Sequence, residues 1–399
     1  MRNGRSLKSR HAITRILLPH KSRIFARKHF ALFIIARSGL TGRVRPPKKF
    51  RPDPFPYHHE LTLRIDSLTN LGMGVARVDG WVVFVPHCLP GETVRARIYR
   101  NDKNFSQADL VEVIEPSPDR VQPTCPLFGE CGGCQYQHLS YPAQLEWKTR
   151  QVRELMKHMA ATEFPVNPCH PSPQQWGYRS KITPHYQKAR ENETDMPIGF
   201  LAQGRRSQIL DVPHCPIAMK EINDALPAIR EKARKTPGKK GATLLLRATV
   251  DENNQRTIST NTHDIVTEVC GETRFDFLAG EFFQNNPFIL EEFVGYVARE
   301  ACLGETQFLI DAYCGSGLFA LSLARHFQQV AAVEVSEASV AWAKKNAEKN
   351  GIHNATFLAA SAEAIFADIT FPAAATTVVI DPPRKGCTRE FLDQLIAFA

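Results

Sequence analysis

From Gln307 to Arg384 short apolar strands and helices alternate without a break, and this period narrows the possible folds more than any other feature. "FLID", "VAAVEVS", "ATFLAA" and "TTVVIDPPR" read as strands, with "GLFALSLARHF" and "EASVAWAKKNAEKNG" as helices between them. A hairpin cannot join parallel neighbours, so strand, crossover helix, strand is the pattern of a parallel sheet. The expectation is the beginning of a doubly wound α/β sheet, which takes its ligand at the carboxyl ends of its strands.

The residues at those ends carry the chemistry. In "FLIDAYCGSG" (308–317) a buried strand runs into a glycine turn, and Gly315 and Gly317 let the backbone approach a ligand closely. The next strand ends in Glu334, where a carboxylate can accept hydrogen bonds from two ribose hydroxyls. A tight strand–helix turn also needs glycine for structure alone. The nucleotide reading therefore rests on Asp311, the glycines and Glu334 in register. An NAD site would carry G-x-G-x-x-G, whereas Gly317 is followed by "LFAL". In "VVIDPPRKG" an acid followed by two prolines makes a rigid loop at the ligand's edge. "GEFFQNNPF" sets Gln284 between two phenylalanines and two asparagines, and by itself reads as a polar loop beside an aromatic pair.

Upstream the pattern differs. Short alternating strands between Glu60 and Glu115, with glycine turns, fit a five-stranded barrel of OB type. A helix follows, "AQLEWKTRQVRELMKHM", with Leu145, Val152, Leu155 and Met156 as its expected apolar face. Residues 170–285 are strand-rich, with a basic helix and linker at 226–240. Residues 1–52 hold 15 of the 50 basic residues and no acid, so the remainder has 35 basic against 41 acidic residues, a net of −6. The basic bias thus belongs to the N-terminal stretch, which reads as a transit peptide, a nucleic-acid-binding arm or an early start codon. No apolar run approaches the roughly 18 residues that span a bilayer.

Ten cysteines without a secretory pattern point to a reducing compartment, where clustered thiols read as metal ligands. "CPLFGECGGCQYQ" (125–137) supplies three of them, spaced Cys125-x5-Cys131-x2-Cys134. Thiolates of this kind suit zinc or an iron–sulfur cluster.

Six motifs in order, "CPLFGECGGCQYQ", "YRSKITPHY", "IGFLAQGRRSQILDVPHCPI", "FFQNNP", "DAYCGSG" and "IDPPRKG", resemble the RNA uracil-5-methyltransferase family, iron–sulfur rRNA enzymes and tRNA enzymes together. The likeness runs from about Glu60 to the last residue, in the branch with an N-terminal TRAM barrel. It implies an α/β chain of four parts. These are a basic tail and linker without fixed structure (1–57), an OB-like TRAM β-barrel (58–118), a β-rich central domain with an iron–sulfur site (119–285) and an incomplete Rossmann-like class I methyltransferase domain (286–399). It supplies Cys215 as fourth ligand to Cys125, Cys131 and Cys134, for a [4Fe–4S] cluster or, alternatively, zinc. It places Gln284, Tyr313, Glu334 and Asp381 on S-adenosylmethionine: Glu334 at the ribose, Tyr313 and Gln284 at the methionine end, Asp381 near the methyl group and base. Leu318 stands where some members carry asparagine.

The implied reaction adds a cysteine thiolate to C6 of a uridine in tRNA or rRNA, so that C5 can take the methyl group. The nucleophilic cysteine and the base, a glutamate, are expected beyond Ala399, with Cys387 a weak stand-in. The alternative is an RNA-binding pseudoenzyme. Arg179, Lys181, Arg205 and Arg206 are candidate phosphate contacts. The chain is expected to be a cytoplasmic monomer, or organellar if its basic start is a transit peptide.

Overall fold

A computed structural model describes residues 45–187 and 196–398. Residues 1–44, most of the basic stretch, lie outside the described residues, as does the side chain of Arg206. Ala399 lies outside them too, and with it the expectation of a nucleophile and base beyond that residue. None of the described helices is long and apolar enough to cross a membrane.

The barrel is closed by one bent strand. Glu60–Arg64 pairs antiparallel with Thr93–Arg97; after Ile65 and Asp66 the chain continues as Ser67–Leu68 and pairs with Gly74–Val75 on the other side. Met73–Val78, Trp81–Pro86, Phe105–Glu115 and Thr93–Asn101 complete the circuit, with Trp81–Pro86 and Phe105–Glu115 parallel. That is the OB strand order, and the five strands read from the sequence are these. Burial alternates along Thr93–Asn101, as a half-buried strand requires. Asp79 and Gly80, at φ 49° and 84°, make the two-residue hairpin turn whose twist matches its strands.

Residues 49–57, expected within the loose linker, instead lie against the barrel. Asn101 donates to the carbonyls of Arg51 and Phe55, both at 2.7 Å, and Phe50 and Phe55 pack on the barrel core. An apolar pair among the prolines makes this possible.

The helix Tyr141–Met159 follows the cysteine segment, but its expected apolar face is not what it buries. Ala143 and Gln151 are buried, whereas Val152 is 48% and Leu155 39% exposed. The reason is polar: Gln151 donates to the Thr69 carbonyl at 2.7 Å and to the Tyr136 hydroxyl at 2.9 Å, and Trp147 packs beside Leu68, Leu89 and Leu139. The basic helix starts earlier than its charge pattern suggested, spanning Lys220–Lys235 with Pro227 inside it. Its buried Arg230 donates to the carbonyls of Ile198 and Val212 and to Asp211.

The central strands form two sheets. Arg205–Asp211, Gly199–Ala202, His185–Tyr186 and Ala242–Thr243 make one; Arg256–Ser259, Leu246–Val250, Ile265–Cys270 and Thr273–Leu278 make the other, with Lys181–Ile182 paired to Leu246–Arg247. The fourth sheet is parallel throughout, in the order Ala355–Ala359, Gln329–Glu334, Phe308–Asp311, Thr376–Val379. It is the doubly wound beginning expected from the alternation. One core runs from Leu245 through Phe275, Phe277 and Phe283 into Leu309, Leu318 and Ala347, so the second central sheet and the parallel sheet share their apolar interior.

Glu92 ties the barrel to the segment around Ser117 and Arg120. Its carboxylate, fully buried, accepts from the Leu89 and Ser117 amides and from Arg120 at 2.5 and 2.8 Å. Replacing Arg120 with alanine leaves that charge buried and unpaired, and is expected to cost about 3 kcal/mol, measured by urea unfolding.

Candidate functional site

The site forms at the carboxyl edge of the parallel sheet. Gly317, at φ 96°, opens the helix Leu318–Leu323; a Cβ there would stand 2.9 Å from Leu321 Cδ1. Only glycine combines that backbone with that closeness. The Glu334 carboxylate accepts from the Gly315 amide at 3.2 Å through Oε2 and from the Ser336 amide at 3.0 Å through Oε1. These bonds fix the carboxylate plane and leave each oxygen a further lone pair for a ligand hydroxyl.

Asp311 is wholly buried beneath the turn and accepts from the Ala320 amide at 2.9 Å. Burial pushes its carboxyl up to about 7 against the pull of backbone hydrogen bonds, and the charges of Asp381 and Glu334 add to the rise. Asp381 is exposed on the proline loop, and its own carboxyl is raised by partial burial. Asp311, Glu334 and Asp381 thus form one acidic neighbourhood, the setting for a ligand with a positive centre.

Tyr313 packs with its ring edge on Phe391, 5.8 Å between centroids, in the cluster around Ile365 and Phe391. Burial, then the neighbouring Cys387 thiol, pushes its phenol up to about 12. Cys387 packs in the same cluster as Tyr313. Leu318 is a buried member of the main core.

Gln284 sits half-buried in the loop 280–286, between anchored neighbours. Phe283 stacks on Phe277 at 4.5 Å, the Asn285 carbonyl accepts from the Ser180 amide at 2.8 Å, and Asn286 donates to Ser172. Phe283 also shares the core cluster of Cys314 and Leu318, which sets the loop beside the glycine turn. Lys181 belongs to this loop rather than to a phosphate surface: its ammonium donates to the carbonyls of Gly280 at 2.8 Å and Glu281 at 3.0 Å. Arg179 donates to the Lys181 carbonyl and Arg205 stays exposed beside Gln208. On the barrel, Arg95 and Arg97 pair with Glu112 and Glu60.

Sequence reasoning missed Asn346. Buried within the helix Glu337–Lys349, it donates to the carbonyls of Asp276 and Ser316 and accepts from the Asp276 amide, joining the glycine turn to the central hairpin. The available signal was asparagine inside a helix, where it is disfavoured unless its side chain has backbone partners.

The cysteine segment is pinned by its backbone. The Gly132 amide donates to the Leu201 carbonyl and the Gln203 amide to the Glu130 carbonyl, Cys125 donates to Gln137, and Cys215 to Asn223. A Cβ at Gly133 would stand 3.5 Å from Cys131 Sγ, an ordinary contact, so this turn lies directly beside that thiol. All ten cysteines are free thiols. Burial raises the thiols of Cys131, Cys134 and Cys215; the charges of Cys131 and Cys125 reach Cys134, and those of Cys134 and Cys125 reach Cys215. The four share a neighbourhood. Yet among the described residues no three His, Cys, Asp or Glu side chains are close enough to hold a metal ion together.

Comparison with known proteins agrees with this architecture. Residues 254–399 match the family described as tRNA (Uracil-5-)-methyltransferase, and residues 61–118 the TRAM domain of tRNA (uracil(54)-C(5))-methyltransferase. A tRNA (uracil(54)-C(5))-methyltransferase of Schizosaccharomyces pombe is 40% identical over 87% of this chain and 69% of the relative. Its Saccharomyces cerevisiae counterpart is 33% identical over 86% of this chain and 65% of the relative, so the chain spans about two thirds of each yeast protein. The fold resembles Pyrococcus abyssi tRNA (uracil-54, C5)-methyltransferase, solved in complex with S-adenosyl-L-homocysteine, with a TM-score of 0.62 and 22% identity over 84% of this chain and 86% of that one.

The raised Asp311 carboxyl has a definite sign. Its contribution to stability is fully present below its ordinary value of 3.8 and is lost as pH rises through about 7. Asp311→Asn is expected to flatten the fall in unfolding free energy across that window, measured by urea unfolding at a series of pH values.

Proposed function

The chain belongs to the tRNA (uracil-5-)-methyltransferase family, and from that premise we propose that it transfers a methyl group from S-adenosylmethionine to C5 of a uridine in tRNA. Position 54 is the reading favoured by the names of the yeast relatives. The observation that carries the proposal is the Glu334 carboxylate, locked by the Gly315 and Ser336 amides at the carboxyl edge of the sheet. It suits the two ribose hydroxyls. The acidic neighbourhood of Asp311, Glu334 and Asp381 suits the sulfonium charge. Gln284 and Tyr313 border the methionine end, and Asp381 lies toward the methyl group and the base.

Uracil C5 is a poor nucleophile, so the reaction proceeds through addition of a cysteine thiolate to C6, which makes C5 enolate-like. C5 then takes the methyl group, a base removes its proton, and elimination frees the cysteine. The nucleophile comes from a segment following the proline loop. Cys387 is not assigned this role: it packs in the apolar cluster of Tyr313 and Phe391. The target uridine leaves its stack to be reached from both faces.

Cells lacking the gene are expected to lose 5-methyluridine from tRNA, measured by mass spectrometry of nucleosides, and an intact gene should restore it. Unchanged 5-methyluridine in tRNA with a loss from rRNA would reassign the substrate; no change in either would leave an RNA-binding protein without this activity.

We further propose that Cys125, Cys131, Cys134 and Cys215 hold a [4Fe–4S] cluster that clips the segment after the barrel to the central domain. Support comes from four thiols in one neighbourhood on a backbone pinned by hydrogen bonds. Four cysteine ligands leave no iron open, so the role is structural. Protein purified without oxygen is expected to hold about four iron atoms per chain, lost in Cys215→Ser. Zinc in their place, found by metal analysis, would replace the cluster with a zinc clip.

A further inference from the structure

Lys181 and Arg247 face each other across two antiparallel strands, in direct register. Like charges directly opposite each other weaken a strand pair, and an apolar pair there would hold the sheet better. Both cations are also withdrawn from water. Arg247 is 2% exposed, and burial followed by the neighbouring Arg247 and Arg179 charges pulls the Lys181 ammonium down to about 8. Such a pair needs a compensating interaction.

The nearby Glu268 carboxylate favours the Arg247 cation, and the rest of the compensation centres on one peptide. Lys181 Nζ and Arg247 Nη2 both donate to the Glu281 carbonyl, at 3.0 and 2.6 Å, and Lys181 reaches the Gly280 carbonyl as well. Gly280 is itself pressed against the neighbouring hairpin, where a Cβ would stand 2.8 Å from Thr262 Cβ. On the far side of the loop, Ser180, adjacent to Lys181, holds the Asn285 carbonyl through both its amide and its hydroxyl. Arg247 also stands over the Phe277 ring at 4.9 Å, the same ring on which Phe283 stacks. The strand around residue 181 and Arg247 thus grip the loop on both sides of Phe282, Phe283 and Gln284.

We propose that Lys181 and Arg247 are positioning residues, which hold the carbonyls ahead of Gln284 and so set where its amide meets the methionine end of the cofactor. This inference rests on the cofactor reading above. It gives the central sheet a part in cofactor binding without any contact between those cations and the cofactor. The like-charge pair is tolerated because two charge-assisted bonds to one carbonyl fix the peptide plane more tightly than one neutral bond.

The test is a double-mutant cycle on the full chain, read by calorimetric titration with S-adenosylhomocysteine. Lys181→Met and Gln284→Ala are each expected to weaken binding about tenfold, the scale of one charge-assisted or well-placed hydrogen bond. The double variant should bind no more weakly than Gln284→Ala alone, and Lys181→Arg should restore most of the affinity. A role confined to stability would instead lower the melting temperature and leave the affinity of Lys181→Met unchanged, whereas independent contributions to binding would add to about a hundredfold loss in the double variant. Additivity, unchanged binding in Lys181→Met, or unchanged binding in Gln284→Ala would each overturn the inference. Should Lys181→Met melt below the assay temperature, Arg247→Lys, which keeps charge but loses the fork, is put through the same cycle. A wild-type chain that does not bind S-adenosylhomocysteine would overturn the cofactor reading itself, an outcome separate from the others.

Discussion

The structure turns on a ladder of hydrogen bonds between a helix and a strand. Asn346 and Asn350, one turn apart, use both ends of their amides on the backbone of the strand Thr273–Leu278: Asn346 on Asp276, Asn350 on Arg274. Lys349 adds an ion pair with Asp276 at 2.6 Å. A sheet edge that would otherwise offer unpaired amides and carbonyls is closed by side chains instead of by another strand. Because Asn346 also donates to the Ser316 carbonyl, the glycine turn inherits its position from this joint. The apolar core beneath it is continuous, so neither sheet can shift without moving the other.

Around that joint, charge is placed where it is costly. Asp311 is wholly buried, Glu92 likewise, and Arg247 and Arg230 nearly so. Burial of Glu92 and Arg230 is offset by several hydrogen bonds each, including an ion pair, and they hold the barrel and the central sheet in place. Asp311 and Arg247 are less completely paired, each with one buried polar atom lacking a hydrogen-bond partner. Those two flank the glycine turn and the Gln284 loop.

Much of the fold was legible because periodicity reports which face of an element is buried. The parallel strands and their helices fall where the alternation put them, as do the barrel strands. The helix Tyr141–Met159 was legible as a helix but not in its orientation. Its docking is decided by Gln151, a polar residue whose partners Thr69 and Tyr136 are contributed by other segments. Lys181 was misread for the same reason: a cation in a strand looks like a surface charge until its carbonyl partners, Gly280 and Glu281 in a distant loop, are seen.

The sequence by itself determined the strand–helix order, the glycine turn, the acid at the end of the second parallel strand and the grouping of cysteines. All of these are local, set by backbone conformation and by residues a few positions apart. Only the tertiary structure decided that Glu334 is clamped by the turn amides, that Tyr313 meets Cys387, that Asn346 joins two sheets, and that Lys181 and Arg247 close on one carbonyl. Each of those depends on hydrogen bonds and charges between distant segments. Such bonds are short and directional, so sequence spacing carries no record of them.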